Sequence, residues 1–183
     1  VEKIIKYIPS DSTIIAPHRG SDRAAAWDMH AAQDVELRPY EYVRIPAGIR
    51  AELPEGYVLL ILPRSGFSFK NQIIAPNAVG VIDEDFRGDM WITACWQPNP
   101  IEALQAELGQ IMKAGCMQQT VTLKTNPNLT FKVQKGDRIA QALLVKYEEQ
   151  HWEKVNELTV TARGDGGFGS TGIRTERPVP PNA

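Results

Sequence analysis

Several stretches of this chain place reactive residue types where a phosphoanhydride could be held and cut. From Asn77 to Gly88 an apolar run turns over at a glycine, presents the carboxylate of Asp83 at its end, and carries Phe86 three residues on. Glycine lacks the side chain that would keep a flat ligand away, so such a hairpin can read a ring with its own backbone. A carboxylate at the end of an apolar strand can accept a proton from an attacking water. Pro63-Arg64-Ser65-Gly66 combines a guanidinium, a hydroxyl and backbone N–H groups, the makings of an oxyanion or phosphate cradle. A plain strand-end turn with a solvated arginine would read the same way. Arg163 to Gly172 holds five glycines in ten residues, with Phe168, Gly169, Ser170 and Thr171 at its centre. That composition can wrap a polyphosphate while the ring stacks on a base, although a flexible linker is the alternative.

Two further acids and amides belong with these. Asp28 stands among small and apolar residues in Ala24–Met29. It is either a turn or capping aspartate, or an outer ligand to a hydrated divalent metal. Lys135 to Gln141 is a turn feeding a strand, with Asp137 and Arg138 read as pinning the turn and Gln141 placed to orient a water. His18, His30 and His151 are scattered and match no metal spacing, and neither do Cys95 and Cys116, read as two reduced thiols. Neither a nucleophile elbow nor a phosphate loop ending in Gly-Lys-Ser/Thr is found.

The elements that must position these groups are mostly strands. The first 60 residues are short apolar runs punctuated by turn residues such as Pro17 to Asp22, Pro46-Ala47-Gly48 and Pro54-Glu55-Gly56. Strands are expected at Val35–Leu37, Tyr42–Ile45, Tyr57–Leu62, Met90–Trp96, Val121–Lys124, Leu129–Val133 and Ile139–Tyr147. The fold class expected is therefore all-β, a barrel or sandwich. Tyr57–Leu62 is continuously apolar, as a strand covered on both faces would be. One segment departs from the pattern. Apolar residues at 101, 104, 108, 111 and 112 have helical spacing, opened at Asn99-Pro100 and closed by Gly115.

Composition narrows the class. The 183 residues suit one domain with its own core. A net charge of −2 without like-charge blocks argues against a nucleic-acid footprint. The charged opening segment lacks the features of a secretory signal, and no apolar run reaches the roughly 20 residues of a spanning helix. A cytoplasmic protein (host cytoplasm if the source is viral) that binds neither nucleic acid nor membrane is the expectation.

Taken in order, the motifs resemble those of the trimeric dUTP diphosphatases. The five motifs of that family are matched by Ala25–Met29, Pro63–Gly66, Asn77–Gly88, Gly136–Gln141 and Arg163–Gly172, spanning nearly the whole chain. The resemblance implies a distorted jelly-roll β-barrel, a homotrimer whose active sites draw on all three chains, and Mg²⁺-dependent hydrolysis of dUTP to dUMP and pyrophosphate. Such an activity keeps uracil out of DNA and supplies dUMP for thymidylate synthesis. It assigns Asp83 as the base that activates water, with Gln141 and Ser65 assisting. Arg64, Ser65, Gly66, Arg163, Gly169, Ser170 and Thr171 would hold the phosphates. Asn77 and the backbone at Val81 and Ile82 would meet the uracil edge, Phe86 would lie under the sugar, and Phe168 would close over the base. Asp28 would reach the metal through water.

Three departures stand out: Phe86 where the family usually has tyrosine, Trp27 for another tyrosine, and the bulk of Trp91. A fourth is the segment from about 98 to 133, expected to be an inserted lobe carrying the helix and open to a protein partner. The domain expectation is one barrel with its arm over 1–172, then a proline-rich tail over 173–183. A rival within the fold is a dCTP deaminase, whose catalytic glutamate has no counterpart in Gly88–Cys95. Two alternatives to strict dUTP hydrolysis remain: a wider substrate range, taking modified dUTP or dCTP, or an added regulatory role through the insertion.

Overall fold

A computed structural model describes residues 2–99 and 129–167. The predicted strand at Val121–Lys124, the helix at 101–114 and Cys116 lie outside the described residues. The chain divides into two compact units at residues 149 and 150.

The first unit is built from eleven described strands and one short helix. The strands are β1 (Lys6–Pro9), β2 (Trp27–His30), β3 (Val35–Leu37), β4 (Tyr42–Pro46), β5 (Ile49–Glu52), β6 (Tyr57–Pro63), β7 (Ile73–Ile74), β8 (Gly80–Ile82), β9 (Trp91–Trp96), β10 (Phe131–Val133) and β11 (Arg138–Lys146); the helix α1 (Ser65–Asn71) follows β6. They pair as a four-stranded sheet β2-β11-β6-β8, a three-stranded sheet β4-β9-β7, and the pairs β1-β5 and β10-β3. Every pairing is antiparallel. These short, non-sequentially paired strands make the jelly-roll-like fold expected from the punctuated sequence.

Side-chain alternation explains the core. Along β9, Ile92 and Ala94 are buried while Trp91 is exposed. Along β5, Ile49 and Ala51 point inward and Arg50 and Glu52 outward. Met29, Leu37, Ile45, Met90, Val133 and Ile139 are essentially inaccessible and fill the interior. Successive residues on a strand face opposite sides, so a single hydrophobic alternation fixes which face is buried. In β6, Leu59 and Ile61 enter the core and the alternate residues are half-buried between β11 and β8.

Three local readings are corrected. Ser65-Gly66 begins a helix rather than closing a turn: Arg64 caps it in an extended conformation, and Gln72 ends it with φ +56°. One buried side chain, Phe67, anchors these seven residues. That is too short a stripe to show helical periodicity. Asp28 is neither a turn nor a cap but lies inside β2, its N–H donating to the His18 carbonyl at 2.8 Å. The apolar run before Asp83 is not a buried edge, since Val79 and Val81 are exposed.

The second unit, from residue 150 on, has neither helix nor strand among its described residues. Trp152, Leu158 and Val160 stand exposed along it. Arg163 closes a turn by donating from Nε to the Gly166 carbonyl at 2.9 Å, with Gly164 at φ +54°. No described helix is long and apolar enough to cross a membrane.

Candidate nucleotide site

The structure sorts the candidate residues of the first unit into two groups, one around Asp28 and one on the hairpin that pairs along β6. The first group surrounds Asp28. Its side chain is almost buried, and its two oxygens are ion-paired with two guanidinium groups: Oδ1 with Arg64 Nε at 2.6 Å and Oδ2, which accepts a hydrogen bond, with Arg138 NH1 at 3.3 Å. Arg64 also donates from NH1 to the Arg138 carbonyl at 3.0 Å. Two cations held on one carboxylate cost less to desolvate than either would alone, and their outer N–H groups remain directed. The register that assembles this cluster shifts between Arg138 and Ala140, a bulge of the kind that re-aims a side chain. Gln141 then falls opposite Asp28 on one side and Leu62 on the other, its Nε2 donating to the Pro63 carbonyl at 3.0 Å. Ser65 and Gly66 open α1 beside them, and no side chain caps that end. Their amides therefore lack intrahelical partners.

His30 completes this floor. It shares the Asp28 face of β2, pairs in register with Arg138, and stacks on His18 with ring centroids 4.9 Å apart. Its Nδ1 is buried without a hydrogen-bond partner. Burial holds the imidazole below its ordinary pKa of 6.5, and the neighbouring His18 adds to the effect.

The second group is the hairpin. Asn77 and Ala78 form a tight turn, Ala78 at φ +56°, before β8 runs antiparallel to β6 with Gly80 opposite Ile61 and Ile82 opposite Leu59. A Cβ on Gly80 would come within 3.1 Å of Ile61. A side chain at Gly80 would thus press on Ile61, and the glycine leaves the backbone bare. A cavity of about 150 Å³ opens here, lined by Asn77, Gly80, Val81, Ile82, Trp91 and Thr93 among others. Thr93 donates its hydroxyl proton to Asn77 Oδ1, which leaves the Asn77 amide N–H₂ on the Gly80 side. Trp91 forms one wall, with the Arg44 guanidinium 5.6 Å from its ring centre. Phe86 follows a turn closed by its own N–H on the Asp83 carbonyl at 3.1 Å. Its ring lies over Gly88, where a Cβ would sit 2.6 Å from Cζ. Asp83 is exposed at the hairpin tip.

The hairpin cavity reaches Pro63, Ser68 and Ala140, but within one chain Asp83 and Gln141 are held apart. Ile82, next to Asp83, pairs with Leu59 on one side of β6, and Gln141 pairs with Leu62 on the other, three residues along. At about 3.3 Å per residue and about 4.8 Å per strand step, Ile82 and Gln141 lie roughly 14 Å apart, well beyond the reach of a shared water. Arg163 belongs to the second unit, and Phe168, Gly169, Ser170 and Thr171 lie outside the described residues. Among the described residues no cluster of three or more His, Cys, Asp or Glu could cage a metal. Arg138, expected to pin a turn, instead reaches Asp28, and Thr93 joins the site through Asn77. The bulge and the cross-strand register that bring them in leave no mark in the linear order.

An antiparallel barrel with a base-sized cavity in a glycine hairpin and a guanidinium floor defines a nucleotide-binding protein of the jelly-roll type. The dUTPase family model matches residues 12–98 and 114–172, leaving 99–113 between the matched parts. The deoxyuridine 5′-triphosphate nucleotidohydrolase of Dictyoglomus turgidum is 34% identical over 177 residues, covering 94% of this chain and 97% of that protein. That of Zymomonas mobilis is 32% identical over 169 residues, covering 92% and 96%. Among solved structures, a dUTPase of Staphylococcus bacteriophage 80alpha with dUpNHpp superposes with TM-score 0.72 at 25% identity, covering 93% of this chain and 99% of that one. The chain belongs to the dUTPase family.

Proposed function

We propose that this protein hydrolyses dUTP to dUMP and pyrophosphate in a site assembled from more than one copy of the chain. The observation that carries this reading is the hairpin cavity lined by Gly80, Val81 and Ile82, with Asp83 next along the chain, in a chain of this family. Uracil would enter between Asn77 and the bare backbone from Gly80 to Ile82. A cavity walled by backbone leaves little room for a 5-methyl group. The Asn77 N–H₂ can donate to a carbonyl oxygen but meets only another donor in the 4-amino group of cytosine. Phe86 would pack under the sugar and exclude a 2′-hydroxyl. The ring suffices for that task, because the exclusion is steric.

Asp83 would draw the proton from a water attacking the α-phosphorus, with Gln141 holding that water. The bond broken joins the α-phosphorus to the α–β bridging oxygen, and pyrophosphate leaves with the negative charge. Ser65 would donate to that oxygen, and Arg64 and Gly66 would bind the phosphates, interactions that strengthen as charge develops. Arg163, Gly169, Ser170 and Thr171 would engage the phosphates from the arm as Phe168 covers the base, excluding water.

Mg²⁺ fits this donor set. Mg²⁺ usually keeps several waters and binds through one or two carboxylates plus substrate phosphates, so no protein cage is needed. Each Asp28 oxygen faces one guanidinium and keeps a lone pair for a metal-bound water. Bound there, the ion would neutralise phosphate charge and stabilise the departing pyrophosphate. Asp28 meanwhile orients Arg64 and Arg138.

The roughly 14 Å between Gln141 and Ile82, the neighbour of Asp83, supports the shared homotrimeric site, with the hairpin of one copy completing the phosphate floor of another. We place the protein in the cytoplasm, with the segment beginning near residue 98 as an added lobe on the barrel open to a protein partner. Pyrophosphate release across a deoxynucleoside triphosphate panel tests the activity. Release from dUTP alone is expected. Ammonia from dCTP would overturn the reading, and equal rates on dUTP, dTTP and dCTP would replace it with a wider pocket.

A further inference from the structure

We infer that Glu84 is a positioning residue that latches the hairpin tip and so fixes the place of Asp83. The inference rests on the proposed role of Asp83 and extends it to a neighbour. Glu84 is half-buried although it directly follows an exposed aspartate. Its Oε2 accepts from the Gly56 N–H at 2.6 Å, tying the tip to the loop that enters β6. Tyr147, just past the end of β11, donates its backbone N–H to the Gly56 carbonyl at 3.1 Å, so it holds the same glycine that Glu84 grips. Its phenol faces the Glu84 carboxylate, which holds the phenol above its ordinary pKa. Gly56 sits at φ +76°, a conformation that aims its N–H at the carboxylate and that other residues adopt only with strain. From the far side, Arg87 NH1 donates to the Glu84 carbonyl at 2.5 Å and the Phe86 carbonyl at 2.9 Å, bracing the turn that carries Asp83.

The need for such a latch follows from the fold. The tip projects beyond β8, whose pairing with β6 ends at Ile82, so Asp83 has no ladder hydrogen bonds to hold it. A base that must meet a water held by another copy's Gln141 has to be placed to within about half an ångström. The carboxylate of Glu84 anchors the peptide next to Asp83 to the loop entering β6, itself tied to the chain leaving β11, which gives that placement. The hydrogen bond from Gly56 to Glu84 is charge-assisted, and the carboxylate keeps acceptor capacity for the Tyr147 phenol that faces it. A carboxamide at 84 keeps an acceptor oxygen of the same shape and can preserve most of the latch.

The test is dUTP turnover by Glu84→Ala, Glu84→Gln, Tyr147→Phe and Asp83→Asn, with melting temperature and oligomeric state measured alongside. Glu84→Ala should lower kcat about tenfold with KM within twofold, because a misplaced base slows chemistry without loosening the base pocket. Glu84→Gln should recover most of kcat, and Tyr147→Phe should fall between. Unchanged kcat in Glu84→Ala, with Asp83→Asn inactive, would overturn the latch and leave the role of Asp83 standing. Equal loss in Glu84→Ala and Glu84→Gln, in step with lost melting temperature, would also overturn it in favour of a structural role. Turnover by Asp83→Asn at the native rate would overturn the underlying assignment instead.

Discussion

Asp83 and Thr93 make separate demands at the residue scale. With Asp83 as base, Asp83→Asn keeps the shape and removes proton acceptance, so pyrophosphate release from dUTP should fall at least about a hundredfold. Binding of a non-hydrolysable dUTP analogue, measured by calorimetry, should stay within a few-fold. Thr93→Val removes the hydroxyl that holds Asn77 Oδ1. The carboxamide is then free to turn its oxygen toward the base and accept from a 4-amino group. The ratio of kcat/KM for dUTP over dCTP should fall about tenfold, one well-placed hydrogen bond's worth, and Thr93→Ser should restore it. Gly88→Ala tests the sugar gate: the new Cβ would lie 2.6 Å from the Phe86 ring. The ring must move, and relative activity on UTP should rise.

Among the elements, β2 decides most. It brings Asp28 and His30 to one face and buries Met29 on the other. His30 has its folded-state pKa lowered by burial, so the unfolded chain binds its proton more readily. Its contribution to stability is present above about pH 6.5 and is lost as pH falls through the lower folded value. Melting temperature should drop as pH falls below about 6.5, and His30→Asn should flatten that part of the profile. Leu37, fully buried where β3 meets β10, tests the core more simply. Leu37→Ala should cost about 2–5 kcal/mol in a denaturant titration.

For the whole molecule, the separation of the hairpin from the phosphate floor has a direct consequence. Two inactive variants, Asp83→Asn and Gln141→Ala, should recover part of the native turnover when mixed and allowed to exchange subunits. A site drawing Asp83 and Gln141 from different copies is intact wherever the native halves meet. A site within one chain would give no recovery, whatever the mixing ratio.

The linear order determined the motif types, the spacing of the turn residues and the alternation that makes an all-β core, because each is a local property of neighbouring residues. Asp83, Gly80 and Phe86 stood out for that reason: a carboxylate, a bare backbone and a ring within seven residues have few other uses. Tertiary structure alone decided what each group touches. Asp28 and Arg138 are 110 positions apart, and only the bulge in β11 puts a guanidinium on that carboxylate. Thr93 reaches Asn77, and Glu84 reaches Gly56, through strand pairings that depend on register over the whole sheet. The helix after Ser65 was hidden because one buried phenylalanine anchors it and seven residues hold too little periodicity to read. Register and burial are collective quantities, set by how all the strands pack at once, and so they emerge only when the chain is folded.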